Sequence, residues 1–553
     1  MSLQQNEIAA LAIGFSICFI TLSIFMYVVQ FRNVSKFTEE TLFFYKKWAY
    51  IISLMVINIA GCVLVYYTRD LQVILYIILV LKSKDIIMSV MFTFNMIYKS
   101  IFKTKTLPSC ESTDETEYII AFVPTYKESI EQVCRTVDSL IANKLGSQYL
   151  MTCIVSDGET NYEMLFETQN LVRGGVYKSW KGEEVSIKIN YGTRKNKHIM
   201  LITKDKNQGK KDSIIVFNDI FNISRENMDL SNKVLREAVT NDISNVFGVE
   251  YFDYIFATDG DTVISDTSLV CLVDSIKTRD AVASCGIVNV DNSQGNPFWN
   301  NLQNFQYLYG QYMRRTNEDV FNQVLCLPGC ISMFKINENA ASAMKLYSEL
   351  PDKTNLVMSS VQFVGTDRRY TSSLVYTNDQ ARIVLDDRSH AYTVPPDNLK
   401  SYVAQRKRWC QNMYFNTMIN IIGANINFVL RFFNLIDFLR LSLIYFRLFN
   451  TIYFIYLLAS SYTEQLLNIV PYIVILLYPI VCFFVYSLFN SHLRSQYFNL
   501  FVSLIINRIF SLFSTVVVFT VMLWNIGNDS WNNNTSEMTE QEGTLELENV
   551  VDV

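Results

Sequence analysis

The stretch Tyr254-Ile-Phe-Ala-Thr-Asp-Gly-Asp-Thr262 joins a short apolar run to two carboxylates that one glycine separates. A short apolar run bounded by polar residues predicts a buried strand. Residues i and i+2 of an extended chain share a face, so Asp259 and Asp261 point at one spot, and Gly260 is expected to allow a sharp turn. Paired carboxylates at a strand end suit Mg²⁺ or Mn²⁺. In isolation, the alternative is a solvated turn with two incidental acids.

Bulk composition places the chain between a soluble enzyme and a membrane bundle. Its 553 residues are 50% hydrophobic, with a mean hydropathy of +0.17 and a net charge of −5. An acidic tail over 527–553, expected to be disordered, accounts for that charge, and no basic field predicts a nucleic-acid partner. Three histidines argue against a His-based zinc site, and eleven scattered cysteines predict reduced thiols rather than disulfides.

Apolar runs in the first 102 residues predict membrane helices. The runs 8–29 and 49–67 are each long enough to span a bilayer. The run 71–101 is a third span, an interfacial helix, or both, because three charged residues interrupt it. The first run lacks a basic leader and a cleavage site, which argues against a cleavable signal peptide.

The C-terminal part is also apolar. Residues 413–440 mix apolar and charged residues, which predicts interfacial amphipathic helices. Residues 441–526 predict C-terminal transmembrane helices, with spans at 441–460 and 466–489. The run 497–524 is either one long span or an interfacial helix that leads into a shorter one.

Between these ends, residues 103–412 alternate short apolar runs with amphipathic stretches. Strand and helix in alternation predict an α/β domain with a mostly parallel sheet covered on both faces. The predicted strands are 118–123, 151–155, 199–203, 254–257 and 281–284, and the predicted helices are 130–143, 213–221 and 267–278. The stretch 161–190, rich in charge and glycine, predicts an insertion.

Polar loops follow three of the predicted strands, at the sheet edge where open α/β sheets bind ligands. The first loop is Val123-Pro-Thr-Tyr-Lys-Glu128. The second contains Asp157, which accepts hydrogen bonds from a nucleoside or is a capping or turn residue. In the third, Asn207-Gln-Gly-Lys-Lys-Asp-Ser213, Lys210 and backbone N–H groups at a helix start suit a phosphate, without the Walker spacing.

Two later stretches add a base and a basic aromatic segment. Gly365-Thr-Asp-Arg-Arg369 offers Asp367 as a general base. In Gln405-Arg-Lys-Arg-Trp409, Arg408 suits a diphosphate leaving group, and Trp409 offers a face on which a sugar ring stacks. The alternative for this segment is an ordinary basic, membrane-proximal helix with an interfacial Trp.

In this order, with apolar flanks, the five stretches resemble the processive family-2 glycosyltransferases, which include cellulose, chitin and hyaluronan synthases. Two stretches look most like chitin synthase: Gln208-Gly-Lys-Lys-Asp-Ser213 and Cys326-Leu-Pro-Gly-Cys-Ile-Ser-Met-Phe334. Two others also suit that family: Gln303-Asn-Phe-Gln-Tyr307 and Gln405-Arg-Lys-Arg-Trp409. The resemblance covers 118–409. A hyaluronan synthase, which uses UDP-N-acetylglucosamine and UDP-glucuronate, is the second choice. A non-catalytic membrane scaffold is the alternative from another class.

The resemblance implies a GT-A-like domain inserted between transmembrane and interfacial helices. It implies inverting transfer of N-acetylglucosamine from its UDP derivative onto a growing β-1,4-linked chain, which leaves through the helices. Asp261 and Asp259 would hold Mg²⁺ or Mn²⁺, and Asp367 would be the catalytic base. The donor would contact Pro124, Thr125, Tyr126, Glu128, Asp157, Lys210 and Arg408, and the acceptor would contact Gln405, Trp409, Cys330 and Arg368.

The same resemblance implies a multi-pass protein of the plasma membrane with a cytosolic catalytic domain. Its partners would be the lipid bilayer, the UDP-sugar and the growing polysaccharide, and a homo-oligomer is permitted. Two departures from the family pattern stand out. Thr366 replaces the Glu of Gly-Glu-Asp-Arg, and Asp529-Ser-Trp-Asn532 matches the Ser-Trp-Gly-Thr-like gating motif only in part.

Overall fold

The computed structural model describes residues 16, 39–68, 70–102, 116–158, 162–293, 295–352, 354–379, 381–460 and 463–527. The predicted span 8–29, the acidic tail and the Asp529-Ser-Trp-Asn532 motif lie outside this described part. Ten strands form one sheet: β1 Glu117–Thr125, β2 Gln148–Ser156, β3 Thr168–Lys178, β4 Glu184–Arg194, β5 Lys197–Lys204, β6 Tyr254–Ala257, β7 Thr262–Ile264, β8 Ala283–Val290, β9 Ser332–Lys335 and β10 Ile383–Thr393.

The strand order is β3-β4-β5-β2-β1-β6-β9-β8-β10-β7. The four central strands, β5-β2-β1-β6, run parallel, with Ile120 of β1 opposite Met151 of β2 and Ile255 of β6. Antiparallel pairings flank this centre on both sides, while β8 and β10 pair in parallel. The predicted α/β class with a parallel centre is confirmed. The predicted insertion is the antiparallel hairpin of β3 and β4.

Both faces of the central strands are covered by helices. Along β1, Ile120 and Phe122 belong to one buried core, and Ile119 and Ala121 belong to the other. Because side chains alternate between faces, a strand buried on both sides is apolar at every position. The helices between the strands are Ile130–Ile141, Lys210–Phe221, Leu230–Phe247, Ser268–Arg279, Pro297–Tyr309, Thr316–Val320, Glu338–Tyr347, Leu356–Val364 and Asp367–Thr377, with a short 3₁₀ helix at Tyr162–Leu165 and a π-helix at Gly310–Arg315.

Local signals explain where the first of these helices begins. The Ser129 side chain accepts a hydrogen bond from the backbone N–H of Gln132, and the Gln132 side chain accepts one from the N–H of Ser129. This capping box satisfies two N–H groups that the helix leaves without partners. Helix Ile130–Ile141 therefore starts directly after the polar loop that ends β1, and it holds that loop at the sheet edge.

Long helices occupy both ends of the chain: Glu39–Thr68, Leu71–Phe102, Leu399–Ile422, Phe428–Ser442, Ile444–Ser460, Thr463–Phe489 and Tyr497–Trp524, with a short one at Ser491–Ser495. In the described part of the chain, three are long and apolar enough to cross a membrane: Glu39–Thr68, Val470–Phe489 within its longer helix, and Tyr497–Trp524. A fourth span results if the pair from Phe428 to Ala459, bent by 74°, counts as one.

Helix Leu71–Phe102 is continuous, and it is not among the helices with that length and hydropathy. Its charges are paired with a second helix, Phe428–Ser442. Lys84 bonds to Asp437, and Asp85 pairs with Arg440 at 3.1 Å. These ion pairs offset the cost of the charges that interrupt the run. The division into domains at 102 and 412 stays a prediction, and helix Leu399–Ile422 runs through the second boundary without a break.

Candidate active site

The predicted polar loops meet at one edge of the sheet. Strands β1, β2 and β6 are parallel, and each runs into one of these loops: Thr125 ends β1, Asp157 follows β2, and Asp259 follows β6. Carboxyl ends of parallel strands lie together, so these loops share one crevice. The backbone N–H of Asp157 donates to the carbonyl of Thr125 at 2.8 Å, which ties the first two loops to each other.

Gly260 allows close packing between the loops of β1 and β6. A Cβ atom at Gly260 would come within 2.8 Å of Thr125 Cγ2 and within 3.4 Å of Glu128 Cγ. The expected sharp turn is present, because the backbone N–H of Thr262 donates to the carbonyl of Asp259 at 3.3 Å. The backbone of Gly260 is not in the left-handed region, so the absence of a side chain, rather than an unusual φ, is what favours glycine here. The Thr136 hydroxyl also donates to the Gly260 carbonyl at 2.9 Å.

Asp261 is held in a crowded acidic environment as a result. Burial raises the pKa of the Asp261 carboxyl to about 7, and the charges of Asp259 and Glu128 add to the effect. Glu128 itself accepts the N–H of Tyr126 at 2.6 Å, which folds the β1 loop over this point. Close carboxylates that repel each other are an arrangement that a divalent cation stabilises.

Asp259 faces a lysine. Lys210 Nζ lies 2.5 Å from Asp259 Oδ1, and Lys210 is the first residue of helix Lys210–Phe221. The preceding Gly209 has φ +89°, a conformation that only glycine adopts without strain. Asp157 supports this loop, because its carboxylate accepts the N–H groups of Gln208 at 2.8 Å and Gly209 at 2.6 Å.

Both oxygens of Asp157 therefore bind protein groups. Lys204 Nζ also approaches Asp157 Oδ1 at 3.3 Å, and Asp157 is 4% exposed. The geometry makes Asp157 a positioning residue for the loop that leads into Lys210. Its predicted contact with a nucleoside stays a prediction.

Asp367 reaches the same point from the other side. It begins helix Asp367–Thr377, and a Cβ atom on Gly329 would lie 2.8 Å from Asp367 Oδ2 and 2.9 Å from Lys210 Nζ. Gly329 thus separates the carboxylate from the ammonium group. Burial raises the pKa of Asp367 above its usual value and the charge of Asp259 adds to the rise, while Lys210 and the backbone N–H of Gly329 oppose it.

Cys330 follows Gly329 and lies against the same groups. It is 8% exposed, and burial together with the charge of Asp259 raises the pKa of its thiol well above the usual range. Cys330 is therefore a neutral thiol beside the acids. Arg368, next to Asp367, is partly exposed at the start of its helix.

A basic aromatic group lies on helix Leu399–Ile422. Trp409 is 45% exposed, and its ring centroid lies 5.8 Å from that of Tyr307. Arg406 Cζ lies 4.3 Å from the Trp409 ring centroid and 5.6 Å from that of Tyr307. The Gln405 side-chain oxygen is buried with no partner in the described part of the chain, and burial lowers the pKa of Arg408.

Tyr307 connects the two halves of the site. Burial raises the pKa of its hydroxyl, and the charges of Arg406, Asp261 and Asp259 also act on that hydroxyl. The sequence assigned no role to Tyr307, Arg406 or Gly329, although each lies inside a stretch that carried the resemblance. The sequence offered one signal for Arg406, because residues three positions apart on a helix, such as Arg406 and Trp409, are neighbours.

The residues present fit a divalent cation that shares its coordination with a substrate. In the described ranges, no group of three or more His, Cys, Asp or Glu side chains is arranged to hold a metal by itself. Asp261 and Asp259 supply two carboxylates with Glu128 nearby, and Mg²⁺-type ions keep positions for phosphate oxygens and water.

Comparisons with known proteins give one consistent family. A family model described as chitin synthase matches residues 185–550. Chitin synthase 8 of Gibberella zeae is 26% identical over 425 residues, which are 71% of this chain and 62% of that protein. Chitin synthase 6 of Pyricularia oryzae is 25% identical over 57% of this chain and 18% of its own length. The chain thus spans less than two thirds of these relatives.

Among solved structures, a mannosyltransferase from Pyrobaculum calidifontis in complex with GDP-Man and Mn²⁺ is similar over 85% of this chain and 99% of its own. The TM-score is 0.37 and the identity 11%. S. aureus TarS residues 1–349 with UDP-GlcNAc is similar over 58% of this chain and 72% of its own, with a TM-score of 0.31 and 11% identity. Similarity at this level carries no information on ligands.

Proposed function

Because this chain belongs to the chitin synthase family, we propose that it is a membrane-embedded, processive, inverting glycosyltransferase. It polymerises N-acetylglucosamine from UDP-N-acetylglucosamine into β-1,4-linked chitin. One observation carries the proposal: Lys210 contacts Asp259, and Lys210 and Asp367 both lie next to Gly329, which has no side chain. The GT-A-like organisation is part of the proposal, and the parallel centre of the sheet supports it.

Asp367 is the proposed catalytic base. Its raised pKa means that the carboxylate readily takes a proton once it is deprotonated, as a general base near neutral pH requires. The base removes the proton of the acceptor 4-hydroxyl, whose oxygen attacks the anomeric carbon as the bond to UDP breaks. One base suffices for inversion by direct displacement, in which no covalent enzyme intermediate forms.

Lys210 and Arg408 would offset the charge that develops on the departing diphosphate. Lys210 already holds Asp259, so the ammonium group is fixed at the sheet edge before the donor arrives. Asp261 and Asp259 would hold Mg²⁺ or Mn²⁺, which, when bound, stabilises the diphosphate as a Lewis acid. The β1 loop, Pro124 to Glu128, and the Asp157 region would surround the nucleoside.

The acceptor end of the chain would rest against Trp409. Trp409 is 45% exposed and so offers apolar ring surface, and the guanidinium of Arg406 lies over its ring at 4.3 Å from the centroid. The unpartnered oxygen of Gln405 would accept a hydrogen bond from a sugar hydroxyl, because a buried acceptor without a partner is costly. Cys330 and Arg368 would complete this subsite.

The apolar helices would anchor the protein and form an exit path for the polymer. The group around Trp409 lies on a helix that packs directly against helix Tyr497–Trp524. We place the catalytic domain in the cytosol and the protein in the plasma membrane, with the bilayer as a partner and a homo-oligomer as a compatible state.

One assay tests the proposal. Purified protein in lipid nanodiscs receives UDP-N-acetylglucosamine alone with Mn²⁺ or Mg²⁺, and the insoluble product is digested with chitinase. The expected result is a chitinase-sensitive polymer that disappears when the cation is chelated. A polymer that forms only after UDP-glucuronate is added, and that hyaluronidase digests, would identify a hyaluronan synthase. No turnover of either donor under any condition would support the membrane scaffold.

A further inference from the structure

A second group of charges lies behind Lys210 and Asp367. Lys211 and Arg369, here called the buried cation pair, follow those two residues by one and two positions. Lys211 is 6% exposed and Arg369 is 1% exposed. Lys211 Nζ donates to the backbone oxygen of Gln362 at 2.6 Å, and it stands 4.0 Å from the ring centroid of Trp180. Two cationic side chains are therefore enclosed by neutral groups.

The neighbouring buried acids are already paired elsewhere. Asp212, next to Lys211 in sequence, lies 2.8 Å from Lys204 Nζ. Asp219 lies 2.5 Å from Arg225 Nε. Glu349, whose charge acts to raise the pKa of Arg369 against the effect of burial, has an exposed side chain. Within the described ranges, the buried cation pair has no carboxylate in ion-pair contact.

Several donors in this cluster have no acceptor. Arg369 Nε and Nη2 are buried with no hydrogen-bond partner in the described part of the chain, and so is the hydroxyl of Tyr347, which is 0% exposed. Nε and Nη2 form the edge of a guanidinium group that binds anions with two parallel N–H groups. Lys211 Nζ lies 4.9 Å from the ring centroid of Tyr347. Helix Glu338–Tyr347, which ends at Tyr347, packs against helix Asp367–Thr377, which carries Arg369.

Burying these groups without a counter-charge is unfavourable. A cation taken out of water without an opposite charge beside it loses its hydration and gains nothing in exchange. Lys211 can respond by losing its proton, and its pKa lies well below the usual value because of burial and the charge of Arg369. Arg369 has no such response, because arginine stays protonated in proteins. A negative charge is therefore missing beside Arg369.

We propose that Arg369, Lys211 and the Tyr347 hydroxyl form a binding site for one small inorganic anion of chloride size. Full burial of Arg369 and Tyr347 closes the free guanidinium edge to bulky ligands. The anion would join helix Asp367–Thr377 to helix Lys210–Phe221, which carry Asp367 and Lys210. The proposal does not depend on the proposed function, because the site lies outside the substrate crevice and its first readout is stability.

The test measures thermal unfolding of the full chain in nanodiscs at constant ionic strength, with chloride replaced stepwise by gluconate. The wild-type Tm should rise saturably with chloride, by about 1 °C at tenfold the dissociation constant. Arg369→Gln should abolish the chloride dependence. Tyr347→Phe removes one donor and keeps the ring, so the chloride concentration at half-maximal Tm rise should be several-fold higher. This variant tests the proposal by itself if Arg369→Gln does not fold.

Two controls make the outcome specific. Arg382→Gln changes an exposed arginine, and it should leave the chloride dependence intact. Glu349→Gln tests whether the carboxylate of the chain itself occupies the site. Three outcomes would each overturn the proposal. The first is a wild-type Tm that is equal in chloride and gluconate, and the second is a chloride effect that appears only in Glu349→Gln. The third is a chloride effect that is unchanged in both Arg369→Gln and Tyr347→Phe.

Discussion

Carboxylates at the sheet edge and carboxylates among the long helices are held in opposite ways. At the edge, Asp259 pairs with Lys210, but Asp261 forms no ion pair in the described part of the chain. Burial, together with the charges of Asp259 and Glu128, raises the pKa of Asp261 to about 7. Among the long helices, Asp437 bonds to Lys84 and Asp85 pairs with Arg440. Unbalanced charge marks the proposed site for a cation and a reactant, whereas balanced charge joins two of the long helices.

The largest expected effect comes from removing the base. Asp367→Asn should lower polymerisation by about 10³-fold, because general base catalysis contributes roughly that factor. The Tm should not fall, since a raised pKa shows that the fold disfavours the charged form of this carboxyl. Polymer yield and thermal unfolding measured on one preparation check both statements. Asp379→Asn, an exposed carboxylate on the adjoining turn, is the matched control and should change neither.

The balanced region should respond in stability instead. Asp437→Asn leaves Lys84, which is 5% exposed, without its partner, and it should lower the free energy of unfolding by about 3 kcal/mol. Adding Lys84→Met should recover most of that loss, because the unpaired charge is removed. Unfolding in mixed micelles measures both variants. Equal instability of the single and double variants would show that Asp437 acts through something other than this pair.

Gly329→Ala tests the close packing at the sheet edge without changing any charge there. The new Cβ would lie 2.8 Å from Asp367 Oδ2 and 2.9 Å from Lys210 Nζ, so the two groups must move apart. A displacement of this size should lower polymerisation by about 10²-fold. Gly310→Ala is the matched control, because a Cβ there meets nothing within 4 Å. Similar activity of both variants would remove Gly329 from the site.

The smallest effect is in the pH profile. As the proposed base, Asp367 would act only when deprotonated, so its raised pKa should move the acid limb of kcat/KM above the value near 4 of an ordinary carboxyl. Below that limb, the rate should fall about tenfold per pH unit. Rates measured between pH 4 and 9 at saturating cation locate the limb. Full activity maintained down to pH 4.5 would show that Asp367 is not the base.

Much of the fold could be predicted because local patterns carry it. Strands such as β1 and β6 are buried on both faces, so they are apolar at every position and visible in the sequence. Strand β10 was missed because it mixes apolar and charged residues, and its charges are satisfied by partners distant in sequence. For example, Nη2 of Arg388 lies 2.7 Å from Oδ2 of Asp274.

The site could be predicted as a set of residue types, and its geometry could not. Motif order indicated Asp259, Asp261 and Asp367, but nothing local shows that Gly329 separates Asp367 from Lys210. For Asp157, the position in the sequence suggested a contact with a ligand. In the structure its carboxylate accepts the backbone N–H groups of Gln208 and Gly209. The buried cation pair was also invisible, since burial of Arg369 depends on helices that lie far apart in sequence.

The central claim is that the group of Asp259, Asp261, Lys210 and Asp367 at the sheet edge couples cleavage of a UDP-sugar to growth of a polymer. Its most direct test counts, in one reaction with UDP-N-acetylglucosamine alone, the UDP released and the N-acetylglucosamine made insoluble. The account predicts one UDP for each sugar incorporated, with both signals lost together in Asp367→Asn. UDP released without polymer, or polymer formed at an unchanged rate in Asp367→Asn, would contradict it.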